Sequence, residues 1–172
     1  KEHTDIIYST IWSPNGQILA SSGSSTTPPS DFTIKLWNWE TGEQIKVLEG
    51  HTKAIYSVSF SADGRLLASL SEDASIRVWR CDTWDLVAVI KEDGNALSGL
   101  AFHPQKSILA SVCEQNMAIR VWDIEVDFIF GKIQNPNDNS EKELGITDKI
   151  ELSYESQITS DLHHDIEEKK DF

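Results

Sequence analysis

The segments TIKLW at 33–37, SIRVW at 75–79 and AIRVW at 118–122 are three near-copies of one short strand. Their final tryptophans lie 42 and then 43 residues apart. A period of about 40–45 residues with one tryptophan per unit is typical of propellers built from four-stranded blades. The repeat therefore predicts an interaction platform made of β-sheets.

Each repeat is predicted to form one blade, because turn residues separate short β-rich runs at every junction. In the first repeat, strands are predicted at 6–13, 17–22, 33–37 and 43–50. In the second repeat, they are predicted at 54–61, 65–71, 75–79 and 85–90. In the third repeat, they are predicted at 96–103, 107–112, 118–122 and 126–130. The fold class is therefore all-β: a partial β-propeller of three four-stranded antiparallel blades, followed by an acidic, mostly irregular tail.

The repeats divide the chain into two regions. Residues 1–130 hold the three repeats, at about 1–49, 50–91 and 92–130, and residues 131–172 are predicted to be an acidic linker or tail. Three blades do not close a ring, since propellers typically need four to eight. The remaining blades are expected from a longer parent chain of which this sequence is a piece; self-association of several copies is the alternative.

The first strand of each blade shows an irregular apolar pattern. In the second repeat the buried positions are predicted to be Ile55, Val58 and Phe60. The step of three residues breaks strict alternation, so a β-bulge is expected near Tyr56 and Ser57. The equivalent buried positions are Leu97, Leu100 and Phe102 in the third repeat and Ile7, Thr10 and Trp12 in the first. In the tail, Ile150, Leu152 and Tyr154 alternate weakly, as one further strand would.

Composition excludes several classes of function. The net charge is −13 and both regions are acidic, so nucleic acid is not expected as a direct ligand. No run of about 18 apolar residues is present, so no membrane span is predicted. Cys81 and Cys113 lack metal-ligand spacing and are predicted to be small buried or half-buried thiols, with a disulfide or a nucleophile as the alternatives. Free thiols fit a reducing, cytoplasmic location.

The repeats resemble the WD40 repeat family over about residues 1–130. The resemblance implies a hydrogen-bonded tetrad in each blade: a His in the entering loop, a Ser or Thr on the second strand, an Asp in the tight turn and the Trp. The matching residues are His3, Ser21, Asp31 and Trp37 in the first repeat, and His51, Ser69, Asp73 and Trp79 in the second. The third repeat keeps Ser111 and Trp122 but has Asp93 and Asn116 where the family has His and Asp.

A His, a Ser and an Asp brought together also resemble a catalytic triad. The trio recurs in two repeats, however, whereas catalysis needs one site, and no Gly-x-Ser-x-Gly motif is present. His163 and His164 are adjacent without partners at suitable offsets, which makes a poor metal site. We therefore predict structural tetrads and no catalytic residue, cofactor or metal.

The resemblance also implies which residues a partner would contact. In the family, recognition often uses the residues three and five after the His and the residue before the tight-turn Asp. By position these are Ile6, Tyr8 and Ser30, then Ala54, Tyr56 and Glu72, and finally Ala96, Ser98 and Gln115. Tyr8 and Tyr56 stand at one equivalent place, and tyrosine is a frequent hot-spot residue; ordinary solvent-facing side chains are the alternative.

The predicted function is a non-catalytic scaffold that binds protein or peptide partners. The alternative is a sensor or regulatory segment of a larger signalling enzyme, with its nucleotide-binding or kinase module outside this sequence. A weaker third hypothesis is that the acidic surface holds basic proteins such as histone tails. No phosphate-binding loop or kinase signature occurs within the 172 residues.

Overall fold

The computed structural model describes residues 3, 6–24, 31–91, 97–113, 118–124, 126, 129 and 146–153. These residues form three antiparallel sheets of four strands each, which confirms the predicted all-β fold. The strands are β1 Ile7–Trp12, β2 Ile18–Gly23, β3 Ile34–Asn38, β4 Gln44–Leu48, β5 Ile55–Phe60, β6 Leu66–Ser71, β7 Ser75–Arg80, β8 Leu86–Lys91, β9 Leu97–Phe102, β10 Ile108–Cys113, β11 Ala118–Ile124 and β12 Ile146–Ser153.

Each sheet is a meander in which consecutive strands are hydrogen-bonded neighbours. We call the sheets β1–β4, β5–β8 and β9–β12 the first, second and third blades. Gly16 and Gly64 close the hairpins β1–β2 and β5–β6 with φ of 71° and 72°, a conformation that glycine adopts without steric cost. The amide of Gly64 donates to the carbonyl oxygen of Ser61 at 2.9 Å. These hairpins explain why a glycine recurs at the same turn in the first and second repeats.

The predicted bulge near Tyr56 is confirmed. On β5, Ile55 lies opposite Ser71, but Ser57 lies opposite Leu70, so one extra residue is inserted at Tyr56. The first blade has the same irregularity at Tyr8 on β1. Because a bulge re-aims the side chains beside it, both tyrosines leave the regular alternation of their strands.

The blades stack face to face, and the second blade is covered on both sides. Between the first and second blades the core includes the fully buried Leu36, Ile55 and Leu67. Between the second and third it includes the fully buried Leu70 and Ile76. The core is therefore divided into layers, one at each contact between blades.

The first blade departs from the predicted core. Ile7, Thr10 and Trp12 occupy positions equivalent to the buried residues of β5, yet all three are exposed, Trp12 by 52%. They lie on the outer face of the stack, so the prediction that these three residues are buried was wrong. A repeat pattern predicts which face of a strand is apolar, but a neighbouring blade is needed to bury it.

The fourth strand of the third blade also differs from the prediction. It is β12, in which Ile150 lies opposite Val121 of β11, rather than a strand at 126–130. Val126 and Ile129, the residues of that range that the structure describes, have helical backbone. The third blade thus takes a strand from beyond residue 130, the boundary that the sequence predicted. Within the described part of the chain, no helix is long and apolar enough to span a bilayer.

Candidate partner-binding rim

The second blade brings its four tetrad side chains into one chain of hydrogen bonds. His51 lies in the loop before β5, Ser69 on β6, Asp73 in the turn after β6, and Trp79 on β7. The Trp79 indole Nε1 donates to Ser69 Oγ at 3.0 Å, and Ser69 Oγ lies 2.8 Å from His51 Nε2. His51 Nδ1 lies 2.8 Å from Asp73 Oδ2. With His51 neutral and protonated on Nδ1, each donor in the chain has one acceptor.

Burial and hydrogen bonding fix the charges in this tetrad. Burial lowers the pKa of His51 below its ordinary value, although the neighbouring Asp73 acts to raise it. Burial raises the pKa of Asp73, but hydrogen bonds from Ser75, Thr52 and His51 outweigh that effect and hold the pKa below its ordinary value. At neutral pH a neutral imidazole therefore donates to a carboxylate. A chain of this kind satisfies buried polar atoms, as a rigid support requires.

The first blade repeats the arrangement. His3 Nε2 and the indole Nε1 of Trp37 each lie 2.8 Å from Ser21 Oγ, and His3 Nδ1 lies 3.3 Å from Asp31 Oδ2. Lys35 forms an ion pair with the same carboxylate. Burial and then Lys35 lower the pKa of His3, so this imidazole is also neutral at neutral pH.

The third blade retains half of the arrangement. The Trp122 indole Nε1 donates to Ser111 Oγ at 3.1 Å, and Ser111 is fully buried. Asp93 and Asn116 lie outside the described residues. The tryptophan-to-serine bond is thus common to all three blades, whereas the histidine link is described in the first and second.

Sequence reasoning missed a cation two residues before each repeat tryptophan: Lys35, Arg77 and Arg120. Lys35 is buried with only 6% of its surface exposed, and it pairs with Asp31. The Arg77 guanidinium fills the space beside Gly50, where an added Cβ would lie 2.6 Å from Nη1. The signal was present in the sequence, because the position is Lys or Arg in every repeat.

The tetrad of the second blade joins a loop and a turn at one edge of the stack. The Thr52 amide donates to Asp73 Oδ2 at 3.0 Å, and the Glu72 amide donates to the Ala54 carbonyl at 2.9 Å. The loop before β5 and the turn between β6 and β7 therefore lie side by side. We call this edge, with the start of β1 beside it, the rim.

The rim carries an aromatic pair that spans two blades. The rings of Tyr8 and Tyr56 meet edge to face with centroids 5.1 Å apart, a favourable geometry for aromatic side chains. The hydroxyl of Tyr56 lies 3.3 Å from Glu72 Oε2, and Lys53 Nζ lies 3.9 Å from Glu72 Oε1. Tyr8 is 46% exposed, and Ile6 beside it is 56% exposed. The two tyrosines and Ile6 thus form the apolar part of one surface, and Glu72 and Lys53 form its charged part.

The structure does not bring every predicted rim residue to this surface. Ala54 is only 5% exposed, so it offers a partner almost no side chain. Ser98 lies on β9 of the third blade. Ser30, Ala96 and Gln115 lie outside the described residues.

The described residues hold no group of three or more side chains that could bind a metal ion. Cys81 is free and half-buried. Burial, followed by the charges of Asp63 and Asp82, raises the pKa of its thiol to about 12. The thiol is therefore protonated at neutral pH, whereas a nucleophilic cysteine needs a thiolate.

The chain matches a known protein family in three segments, which coincide with the three repeats. The WD domain, G-beta repeat family matches residues 1–38, 42–80 and 84–123. Nuclear distribution protein PAC1 of Arthroderma otae is 39% identical over 77 residues, which are 44% of this chain and 15% of that protein. Coronin-7 of Mus musculus is 36% identical over 72 residues, 41% of this chain and 7% of that protein. The matched segments thus span less than a fifth of these relatives.

Solved structures show the same fold. The WD40 repeats of RRP9 superpose with a TM-score of 0.64 at 22% identity, covering 72% of this chain and 37% of that chain. U3-55K gives a TM-score of 0.65 at 22% identity, covering 72% of this chain and 38% of that chain. At this identity the likeness concerns the fold alone.

Proposed function

We propose that this chain, which belongs to the WD40 repeat family, is a non-catalytic scaffold that binds protein or peptide partners at its rim. The observation that carries the proposal is the contact between Tyr8 and Tyr56, which joins two blades into one aromatic surface on which Tyr8 is exposed and Tyr56 is half-buried. Large, rigid rings with one polar end are frequent anchors of protein interfaces. Glu72 and Lys53 supply charges at the border of this surface, where they contribute to specificity.

The tetrads support the rim in this proposal. They hold the entering loop and the tight turn with buried hydrogen bonds, so the rim needs little ordering when a partner binds. Nucleic acid and membranes are not proposed as partners, because the chain has a net charge of −13. We further propose a cytoplasmic location, supported by the free thiol of Cys81, and further blades of the parent chain as cover for the outer faces of the stack.

Affinity capture from cell lysate with the immobilised chain tests the rim. The variant carrying both Tyr8→Ala and Tyr56→Ala is expected to lose the partners that the unchanged chain retains, since each hot-spot tyrosine contributes about 2 kcal/mol or more. Leu86→Ala removes an exposed apolar side chain from β8, outside the predicted rim positions, and should retain those partners. Equal capture by the tyrosine variant and the unchanged chain would show that partners bind elsewhere.

A further inference from the structure

A cavity of about 360 Å³ opens between the first and second blades. It lies on the edge opposite the rim, because the hairpin turns β1–β2 and β5–β6 line it. Its wall is apolar at Ile18, Phe60 and Trp84, and the half-buried Cys81 lies beside them. This volume is at the small end of the range for binding pockets and suits one or two side chains rather than a large ligand.

We call the space between the first and second blades, where this cavity lies, the first crevice, and the space between the second and third blades the second crevice. The second crevice shows which side chains fill the position of the cavity when it is occupied. Leu66 on β6 corresponds to Ile18 on β2, and Ile124 on β11 corresponds to Cys81, each two residues after its repeat tryptophan. Leu66 is 0% exposed and Ile124 is 2% exposed, whereas Ile18 and Cys81 are both half-buried. The smaller Cys81 therefore leaves space that a branched aliphatic side chain fills in the other crevice.

The segment after β11 adds to that filling. Ile129 is 6% exposed and Val126 is partly buried, and both belong to the cluster that contains Leu66 and Ile124. After β7, by contrast, the chain turns directly into β8 through residues 81–85, with Trp84 only half-buried. The first crevice thus lacks the apolar contacts that the chain itself supplies to the second, and lost dispersion contacts of this kind are what a ligand recovers.

The charged side chains around the opening of the cavity influence which kind of side chain can bind in it. Asp63 lines the cavity, and Arg65 and Asp82 line the adjoining surface, where Arg80 forms an ion pair with Asp82. Carboxylates and guanidinium groups are equal in number, so a charged side chain of either sign gains little. Apolar contact therefore decides what binds.

We propose that this cavity binds branched aliphatic side chains presented by a segment of a partner protein, in the way that Ile124, Val126 and Ile129 fill the second crevice. The site is separate from the rim and does not depend on the function proposed for it. The chain would then hold partner segments at two opposite edges.

A peptide titration followed by ¹⁵N NMR on the 172-residue chain tests the proposal. The probe is an uncharged octapeptide that carries two isoleucines and a valine at the spacing of Ile124, Val126 and Ile129, with Ser and Gln elsewhere. We expect a saturable shift of the Trp84 indole resonance, assigned with Trp84→Phe. A control octapeptide with Asn at the three aliphatic positions is expected to leave that resonance unchanged.

Variants of the chain make the test specific. Cys81→Ile copies the residue of the second crevice, so it should weaken probe binding at least tenfold and raise the melting temperature by filling space. Ala101→Ile adds the same side chain at an exposed position on β9 and should leave binding unchanged. The rim variant with Tyr8→Ala and Tyr56→Ala should also bind normally, which separates this proposal from the proposed function.

Three results would overturn the proposal: equal binding of the two peptides, shifts confined to Trp12 and Trp39, or undiminished binding to Cys81→Ile. The comparison of the two peptides uses the unchanged chain, so it decides the question even where Cys81→Ile folds poorly.

Discussion

At the scale of single residues, His51 has the central position in the second blade. Its two ring nitrogens lie 2.8 Å from Asp73 and 2.8 Å from Ser69, and its side chain is almost fully buried. A group that satisfies two buried neighbours costs more to remove than its own hydrogen bonds are worth, because both neighbours lose a partner.

We expect His51→Ala to lower the free energy of unfolding by about 1–3 kcal/mol, since buried Ser69 and Asp73 lose their common partner. Urea denaturation measures the change. His103→Ala is the matched control, because His103 is half-buried and its described hydrogen bond is a local one from the Gln105 amide at 3.0 Å. An unchanged urea midpoint for His51→Ala would contradict a stabilising role of the tetrad.

The tetrad histidines also predict how stability depends on pH. Folding lowers the pKa of His51 and His3 below 6.5, so the unfolded chain binds more protons than the folded chain below that pH. Their contribution is fully present above pH 6.5 and is lost as the pH falls from 6.5 through the folded pKa. Asp73, with its pKa held below 3.8, loses its contribution only at lower pH, as its folded pKa is passed.

We therefore expect the urea midpoint to fall between pH 7.5 and pH 5.5. In the variant with His3→Gln and His51→Gln the fall should be smaller, because glutamine does not titrate. The two pH profiles are compared over this range, where Asp73 stays ionised. Parallel profiles of the variant and the unchanged chain would show that other groups control the pH dependence.

At the scale of elements, the sequence predicted eleven of the twelve described strands close to where they lie, because one strand pattern recurs and recognisable turn residues separate the strands. The weak alternation of Ile150, Leu152 and Tyr154 predicted a strand that overlaps β12, but not the place of β12 as the fourth strand of the third blade. The pairing of β12 with β11 spans more than twenty residues, and nothing in the local pattern specifies so distant a partner. Apolar residues at 126–130 predicted a strand, but Val126 and Ile129, the described residues of that range, have helical backbone.

We expect truncation to distinguish β12 from the rest of the tail. A chain of residues 1–145 lacks β12, so β11 becomes an edge strand and the amides of residues 118–124 that bond to β12 lose their acceptors. A chain of residues 1–153 keeps the strand. Hydrogen exchange at 118–124 should be faster in the shorter chain than in the longer one, while exchange in β6 stays the same in both. Equal exchange at 118–124 in the two chains would show that β12 adds no protection.

The tetrads were more predictable than the rim. A tetrad is a local arrangement within one blade, so the resemblance to the WD40 repeat family could assign its residues by their position in each repeat. The rim depends on the backbone bulge and on contacts between blades, which spacing does not describe. Ala54 was therefore assigned to the rim although it is buried, and the contact between Tyr8 and Tyr56 is visible only in three dimensions.

At the scale of the whole molecule, the stack has two different outer faces. The outer face of the first blade carries Trp12 and Trp39, exposed by 52% and 53% with their rings edge to face at 6.1 Å. The outer face of the third blade carries Ile119, exposed by 44%. Wherever two blades pack together, a face of one blade that carries tryptophan contacts an aliphatic face of the other. The outer face of the first blade is of the tryptophan-bearing kind and the outer face of the third blade is of the aliphatic kind, so the two are complementary to each other.

We expect purified copies of this chain to associate head to tail, because the outer face of the first blade can bind the outer face of the third blade of another copy. Light scattering should show a mass that rises with concentration. The double variant Trp12→Glu, Trp39→Glu and the single variant Ile119→Glu should each be monomeric, whereas Leu86→Glu, on β8 of the middle blade, should associate like the unchanged chain.

Mixing the two monomeric variants tests the direction of the contact. Each variant keeps one intact outer face, and the two intact faces are of opposite kinds. A head-to-tail contact therefore gives a one-to-one dimer in the mixture and nothing larger. If like faces bound each other instead, the double variant alone would dimerise through its intact Ile119 face. The mass of each variant measured separately therefore decides between the two arrangements before the mixture is made.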